Sequence, residues 1–148
     1  MPDILEYHQL YIDIAKRIAK LSKAERLQVG ALVVYNNAIV SYGYNGTPTK
    51  HKSNVCENNV DGKLVTKPTV IHAELNALLK LLKSGFKVEK ATLYLTHSPC
   101  IQCSIHIYQS GIIEEVVYDQ DYRDTEGIDF LDSHGIYITK YKEPIPKA

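Results

Sequence analysis

Two short clusters combine residue types suited to metal chemistry: His72-Ala73-Glu74 and Pro99-Cys100-Ile101-Gln102-Cys103. Cys100 and Cys103 are three apart, so on a helix their sulfurs share one face of a single turn. His72 lies 28 residues upstream of Cys100. One imidazole and two thiolates make the three-ligand set of catalytic zinc, which keeps a fourth position for water, whereas structural zinc takes four protein ligands. A fourth ligand from Cys56, His51 or His97 would close the site instead. Glu74 is not needed as a ligand and can stand beside the open position as a proton carrier. Zn²⁺ with two thiolates and a neutral imidazole has no net charge. It acidifies water less than a three-imidazole site does, which makes a nearby carboxylate base more useful.

Two helix N-termini facing each other across a strand can bring such a set together, and their dipoles also favour thiolates. The sequence supplies the elements. Leu10, Ile14, Ile18 and Leu21 predict an amphipathic helix over 4–21, and His8, His106 and His134 are read as helix-surface groups. GALVVY (30–35) and AIVSYGY (38–44) predict two strands joined at Asn36-Asn37 as a tight hairpin. Residues 45–69 are polar, with Gly46, Pro48, Gly62 and Pro68, and predict a long functional or mobile loop. Leu75, Leu78, Leu79 and Leu82 predict the buried face of a second helix, ended by Gly85. A strand over 91–96 follows. Ser98-Pro99 is read as an N-cap and first helical residue, with Ile101, Ile105 and Tyr108 as the next helix's apolar face and Gly111 as its stop. A strand over 114–119, a helix over 125–134, a strand over 136–139 and a tail KEPIPKA complete the chain. Strands alternating with helices predict crossover units, hence an α/β fold: a three-layer α/β/α sandwich around a five-stranded mixed sheet.

The chain has 148 residues, close to one domain's length, and residues 1–148 are read as one domain. A hydrophobic fraction of 45% and a charged fraction of 23% exclude wholesale disorder. Seventeen Lys plus Arg balance seventeen Asp plus Glu. That argues against wrapping a polynucleotide, which needs a basic excess, and tryptophan, useful for stacking single-stranded bases, is absent. A small phosphorylated ligand needs only two or three local cations. No apolar run spans a membrane, and MPDILEYHQL has no secretory core. Three cysteines fit a reducing compartment, so a cytoplasmic location is expected.

Cys-x-x-Cys alone would also fit a redox pair or half of a zinc knuckle. With His-x-Glu upstream, a strand between and a proline before the first cysteine, the combination is the signature of zinc nucleobase deaminases. Four stretches, ERLQVGALVV (25–34), GYNGTP (43–48), TVIHAELNAL (69–78) and YLTHSPCIQCSIHIYQSGI (94–112), resemble the deoxycytidylate deaminase family, and DYRD (121–124) fits more weakly. The resemblance implies a cytidine-deaminase-like fold and hydrolytic deamination of dCMP to dUMP, supplying deoxynucleotide for dTMP. It implies one Zn²⁺ per chain on His72, Cys100 and Cys103, with Glu74 carrying protons to N3 and to the departing amine. Backbone at Ala73 and Ser98 would bond the base edge, and Asn45 the sugar and base region. Arg26, Tyr122 and Arg123, with Lys23 as a weaker candidate, would meet the 5′-phosphate.

Many members similar to this chain are hexamers activated by dCTP and inhibited by dTTP, with Mg²⁺ accompanying the triphosphate. By resemblance the effector residues would be Gly43, Tyr44, Gly46 and Lys50, although the turn continues as TPTKHK without the further glycine of regulated members. The loop offers only His51 and Cys56 toward a second, structural zinc, so a single zinc is expected. Two rivals stay open. One is a deaminase of another cytosine nucleotide or nucleoside, such as dCTP or cytidine. The other is a non-catalytic zinc module, for which Glu74 would have no use.

Overall fold

The computed structural model describes residues 2–144. Helix α1 (Ile4–Ala19) opens with a capping box: Asp3 accepts from the Glu6 N–H, and Glu6 accepts from the Asp3 N–H. This satisfies donors that a helix start leaves free. Strands β1 (Gly30–Tyr35) and β2 (Ala38–Tyr44) form the expected antiparallel hairpin. Asn36 and Asn37 turn it at φ 50° and 57°, the left-handed pair that such a two-residue turn requires.

The segment 45–69 corrects the loop reading. Strands β3 (Glu57–Val60) and β4 (Lys63–Thr66) form a separate two-stranded sheet, turned at Asp61 (φ 51°) and Gly62 (φ 82°). A bridge between Gly46 and Ile71 closes the base of this excursion, with N–H to carbonyl distances of 3.1 and 2.7 Å in the two directions.

Helix α2 (Ala73–Ser84), β5 (Ala91–His97), α3 (Ile101–Ser110), β6 (Ile113–Gln120), α4 (Glu126–Ser133) and β7 (Tyr137–Lys140) follow. The main sheet runs β2-β1-β5-β6-β7. Strand β1 is antiparallel to β2 and β5, while β5, β6 and β7 are mutually parallel. Parallel neighbours need crossovers, and α3 and α4 supply them. The five-stranded mixed sheet of the α/β reading is therefore present. Side chains alternate across it. Ala31, Val33, Leu93, Leu95 and Val116 pack with α2, α3 and α4, while Leu32, Val34, Tyr94 and Val117 pack with α1. Among the described residues no helix is long and apolar enough to cross a membrane.

The helix faces differ from those predicted. In α1 the buried residues are His8, Tyr11, Ile12, Ala15 and Ala19, while Leu10 and Leu21 are exposed and Ile14 and Ile18 half-buried. In α2 they are Ala73, Glu74, Ala77, Leu78 and Leu81, with Leu79 and Leu82 exposed and Leu75 half-buried. In α3 they are Cys103, Ser104 and Ile107, with Ile105 and Tyr108 exposed and Ile101 half-buried. In α1 and α2 the buried face mixes large apolar residues with alanines where backbone comes close to a strand. A Cβ on Gly30, for example, would lie 2.0 Å from the Ala15 carbonyl. His8 is correspondingly not a surface group: it is buried, with Nδ1 2.8 Å from the Tyr94 hydroxyl. His106 and His134 are exposed as read. Of the expected tail, residues 145–148 lie outside the described residues.

Candidate active site

Close backbone contact seats both ligand clusters. A Cβ on Gly43 of β2 would meet the Ala73 carbonyl at 2.5 Å and the Ala77 nitrogen at 2.6 Å, so α2 lies directly on the strand. His72 is the N-cap of α2, and Glu74 sits in its first turn. A Cβ on Gly127 of α4 would meet the Pro99 carbonyl at 2.3 Å, Ser104 Oγ at 2.5 Å and the Cys100 carbonyl at 2.8 Å. Helix α4 thus backs the turn that carries Cys100. That turn corrects the cap reading. The N-cap of α3 is Cys100, not Ser98, and its sulfur accepts the Cys103 N–H at 3.5 Å. Pro99 precedes the cap.

The three expected ligands converge. Their ligating atoms all lie within 4.8 Å of one another. His72 Nδ1 is 3.1 Å from Cys103 Sγ and 3.7 Å from Cys100 Sγ. Zinc bond lengths of about 2.0–2.3 Å give tetrahedron edges of roughly 3.5–3.8 Å, so this donor set fits the ion. The three groups share protons among themselves. The Cys103 thiol and the His72 ring bond to Cys100 and hold its thiol down to about 4, while the same pairing and burial push Cys103 up. The Cys100 bond raises His72 against its burial. Glu74 is buried, and burial pushes its carboxyl up, with its own backbone N–H and His72 pulling the other way. A carboxyl shifted toward neutrality is suited to taking and returning a proton.

These residues open into a cavity of about 460 Å³. Arg26, Asn45, His72, Ala73, Glu74, Ser98, Cys100, Tyr122 and Arg123 line it, and Cys103 lies buried behind. Asn45 Oδ1 accepts the Val29 N–H and its Nδ2 donates to the Leu27 carbonyl, both at 2.8 Å. An amide oxygen keeps a second lone pair and an amide nitrogen a second hydrogen, so each end retains one bond to offer. Ser98 donates its N–H to Gln120 and accepts the Tyr122 N–H on Oγ at 2.6 Å, which leaves its carbonyl for a ligand. Arg123 donates to the Tyr122 hydroxyl at 2.9 Å.

Lys23 and the residues Gly43, Tyr44, Gly46 and Lys50 do not line the cavity. Gly43 packs against α2, Gly46 makes the bridge to Ile71, and the Tyr44 carbonyl accepts from Asn76. Lys50 is exposed at φ 63°. Cys56 and His97 share the cavity wall but stand outside the ligand cluster. The wall also contains Glu57 and Thr66 of the β3–β4 hairpin, which the sequence reading missed. The Asp61-Gly62 pair, a two-residue turn signal, was the mark of that hairpin. Nothing in the sequence singles out Glu57.

Comparison with known proteins agrees with this geometry. Residues 5–120 match the family model described as the cytidine and deoxycytidylate deaminase zinc-binding region. The crystal structure of dCMP deaminase from the cyanophage S-TIM5, in complex with dCMP and dUMP, superposes with a TM-score of 0.86 at 40% identity, covering 95% of this chain and 99% of that one. The human deoxycytidylate deaminase is 36% identical over 128 residues, covering 84% of this chain and 71% of the relative. The deoxycytidylate deaminase of Saccharomyces cerevisiae is 34% identical over 138 residues, covering 88% of this chain but only 43% of the relative's length. The three-ligand cluster, the buried glutamate beside it and the family match over most of the chain lead to one assignment: this chain belongs to the cytidine and deoxycytidylate deaminase family.

Proposed function

We propose that this protein is a zinc-dependent hydrolase that converts dCMP and water to dUMP and ammonia. The observation that carries the proposal is the buried Glu74 beside the His72, Cys100 and Cys103 cluster at the floor of a cavity whose wall includes Arg26, Tyr122 and Arg123. A purely structural zinc has no use for that carboxylate.

Zinc, when bound, supplies Lewis acidity that makes water a stronger acid. Glu74 takes the proton from the water that adds to C4 of cytosine and delivers it to N3. It then takes the second proton from the new C4 hydroxyl and passes it to the exocyclic amine, as the C4–N bond breaks and the C4 carbonyl forms. The Ala73 N–H and the Ser98 carbonyl orient the base edge, and Asn45 offers its remaining donor and acceptor toward the sugar. Arg26 and Arg123, with the Tyr122 hydroxyl, match a phosphate dianion in charge and donors. This favours a nucleotide over a nucleoside.

Control by dCTP and dTTP with Mg²⁺ in a hexamer is a finer part of the proposal. It rests on the family resemblance of the GYNG turn, which touches α2 through Gly43 and Asn76.

The test is an ultraviolet assay with dCMP, deoxycytidine, CMP and dCTP, run with and without the two triphosphates and Mg²⁺. Glu74→Gln is expected to keep zinc and fold while kcat falls by about 10²–10⁴-fold. Normal turnover by the zinc-loaded variant would overturn the mechanism. No turnover of any of the four substrates would overturn the substrate class.

A further inference from the structure

The connection between α1 and β1, residues 20–29, contains no strand and no helix, yet it delivers Arg26 to the cavity. Side chains from elsewhere hold it in shape. Ser22 Oγ donates to the Asn45 carbonyl at 2.7 Å, and the Asn45 amide ties down Leu27 and Val29. The Arg26 end is held by the β3–β4 hairpin. Glu57 Oε2 accepts the backbone N–H of both Glu25 and Arg26, each at 3.0 Å. Thr66 stands opposite Glu57 in the hairpin register, and its Oγ1 accepts from Arg26 Nη1 at 3.1 Å.

Glu57 is 7% exposed and takes part in neither ion pair found among the described residues. A buried carboxylate without a cation is unfavourable unless strong hydrogen bonds compensate it. Here the two adjacent N–H groups do so, and in return the carboxylate fixes the backbone on both sides of the Glu25–Arg26 peptide. We infer that Glu57 is a positioning residue for phosphate recognition: it sets the backbone of Arg26 so that the guanidinium, steadied by Thr66, meets the 5′-phosphate of the substrate. The inference rests on the reading of the cavity as a dCMP site. Glu57 acts through Arg26, and its own negative charge gives it no attraction for a phosphate.

The experiment compares Glu57→Asp and Glu57→Gln, each alone and combined with Arg26→Ala, in zinc-loaded protein of verified melting temperature. The readout is kcat/KM for dCMP divided by kcat/KM for deoxycytidine. Arg26→Ala is expected to lower this ratio about tenfold or more, the scale of one charge-assisted contact. Aspartate keeps the charge but is one methylene too short to hold both N–H groups. Glu57→Asp is therefore expected to lower the ratio roughly three- to tenfold, through KM for dCMP rather than kcat. Glutamine keeps an acceptor at full reach, so Glu57→Gln should retain more of the ratio than Glu57→Asp. In the Arg26→Ala background neither change should lower the ratio further, since coupled residues do not add. Glutamine performing worse than aspartate, or full additivity with Arg26→Ala, would overturn the inference while the dCMP reading stands. An unchanged ratio in Arg26→Ala itself would overturn the phosphate reading, and this inference with it.

Discussion

Replacing Gly127 by alanine tests whether α4 sets the metal site. The added Cβ would lie 2.3 Å from the Pro99 carbonyl and 2.8 Å from the Cys100 carbonyl, both backbone atoms of the turn carrying the first cysteine ligand, and 2.5 Å from Ser104 Oγ. Carbon and oxygen need a little over 3 Å, so either the turn or α4 must move by about 1 Å. Overpacking of this kind costs about 1–3 kcal/mol. For a chain of 148 residues that lowers the melting temperature by roughly 3–10 °C. Zinc–ligand distances tolerate only about 0.2 Å. A displaced Cys100 should therefore release zinc to a mild chelator several times faster than wild type. The assay pairs a thermal melt with metal content per chain after timed exposure to chelator. An unchanged melt would refute the close contact. A lower melting temperature with wild-type zinc retention would show that α4 yields rather than the turn, and would refute the coupling.

Two other perturbations have definite signs. Burial lowers the pKa of His8, with Glu115 pulling the other way. The neutral ring is thus favoured by folding, and its contribution is complete above the unfolded value of about 6.5 and is lost as pH falls below it. The urea midpoint of the wild type should drop more between pH 7.5 and pH 5 than that of His8→Gln, and parallel curves would contradict this. Asn45→Ala removes the amide bonds to Val29 and Leu27. It should lower stability by about 1–3 kcal/mol and raise KM for dCMP, measurable by urea titration and initial rates; an unchanged urea midpoint would refute the structural part.

Much of this was legible in the chain because chemistry and turn geometry leave local marks. His72-Ala73-Glu74 and Cys100-x-x-Cys103 announce a metal set without reference to packing. Asn36-Asn37, Gly85 and Gly111 mark ends that need positive φ, and all four adopt it. Leucine spacing marks only part of the buried face of α2, Leu78 among it, because it ignores the small residues. Leu79 and Leu82 face outward while Ala73 and Ala77 face β2, since Gly43 brings the backbones too close for anything larger. His8 was misread because its partner, Tyr94, is 86 residues away. The β3–β4 hairpin was lost in a polar stretch: Asn58, Asn59 and Lys63 are exposed on a two-stranded sheet, so no apolar alternation marks it. Glu57 has the same difficulty, because its partners are backbone groups with no identity in sequence.

The bridge between Gly46 and Ile71 divides the protein's capacity to change. Residues 47–70 leave the sheet and return to it through one pair of hydrogen-bonded positions. Their number can therefore vary at a loop-closure penalty that grows only with the logarithm of length, without moving His72 relative to Gly43. Within this insertable stretch lie Glu57 and Thr66, which hold Arg26. The metal ligands and Glu74 lie outside it. Segments grafted between the same two anchor positions would alter the part of the cavity wall that Glu57 and Thr66 supply, while the His72, Glu74, Cys100 and Cys103 constellation is inherited intact. In this architecture, the choice of substrate and the means of hydrolysis can evolve on separate clocks.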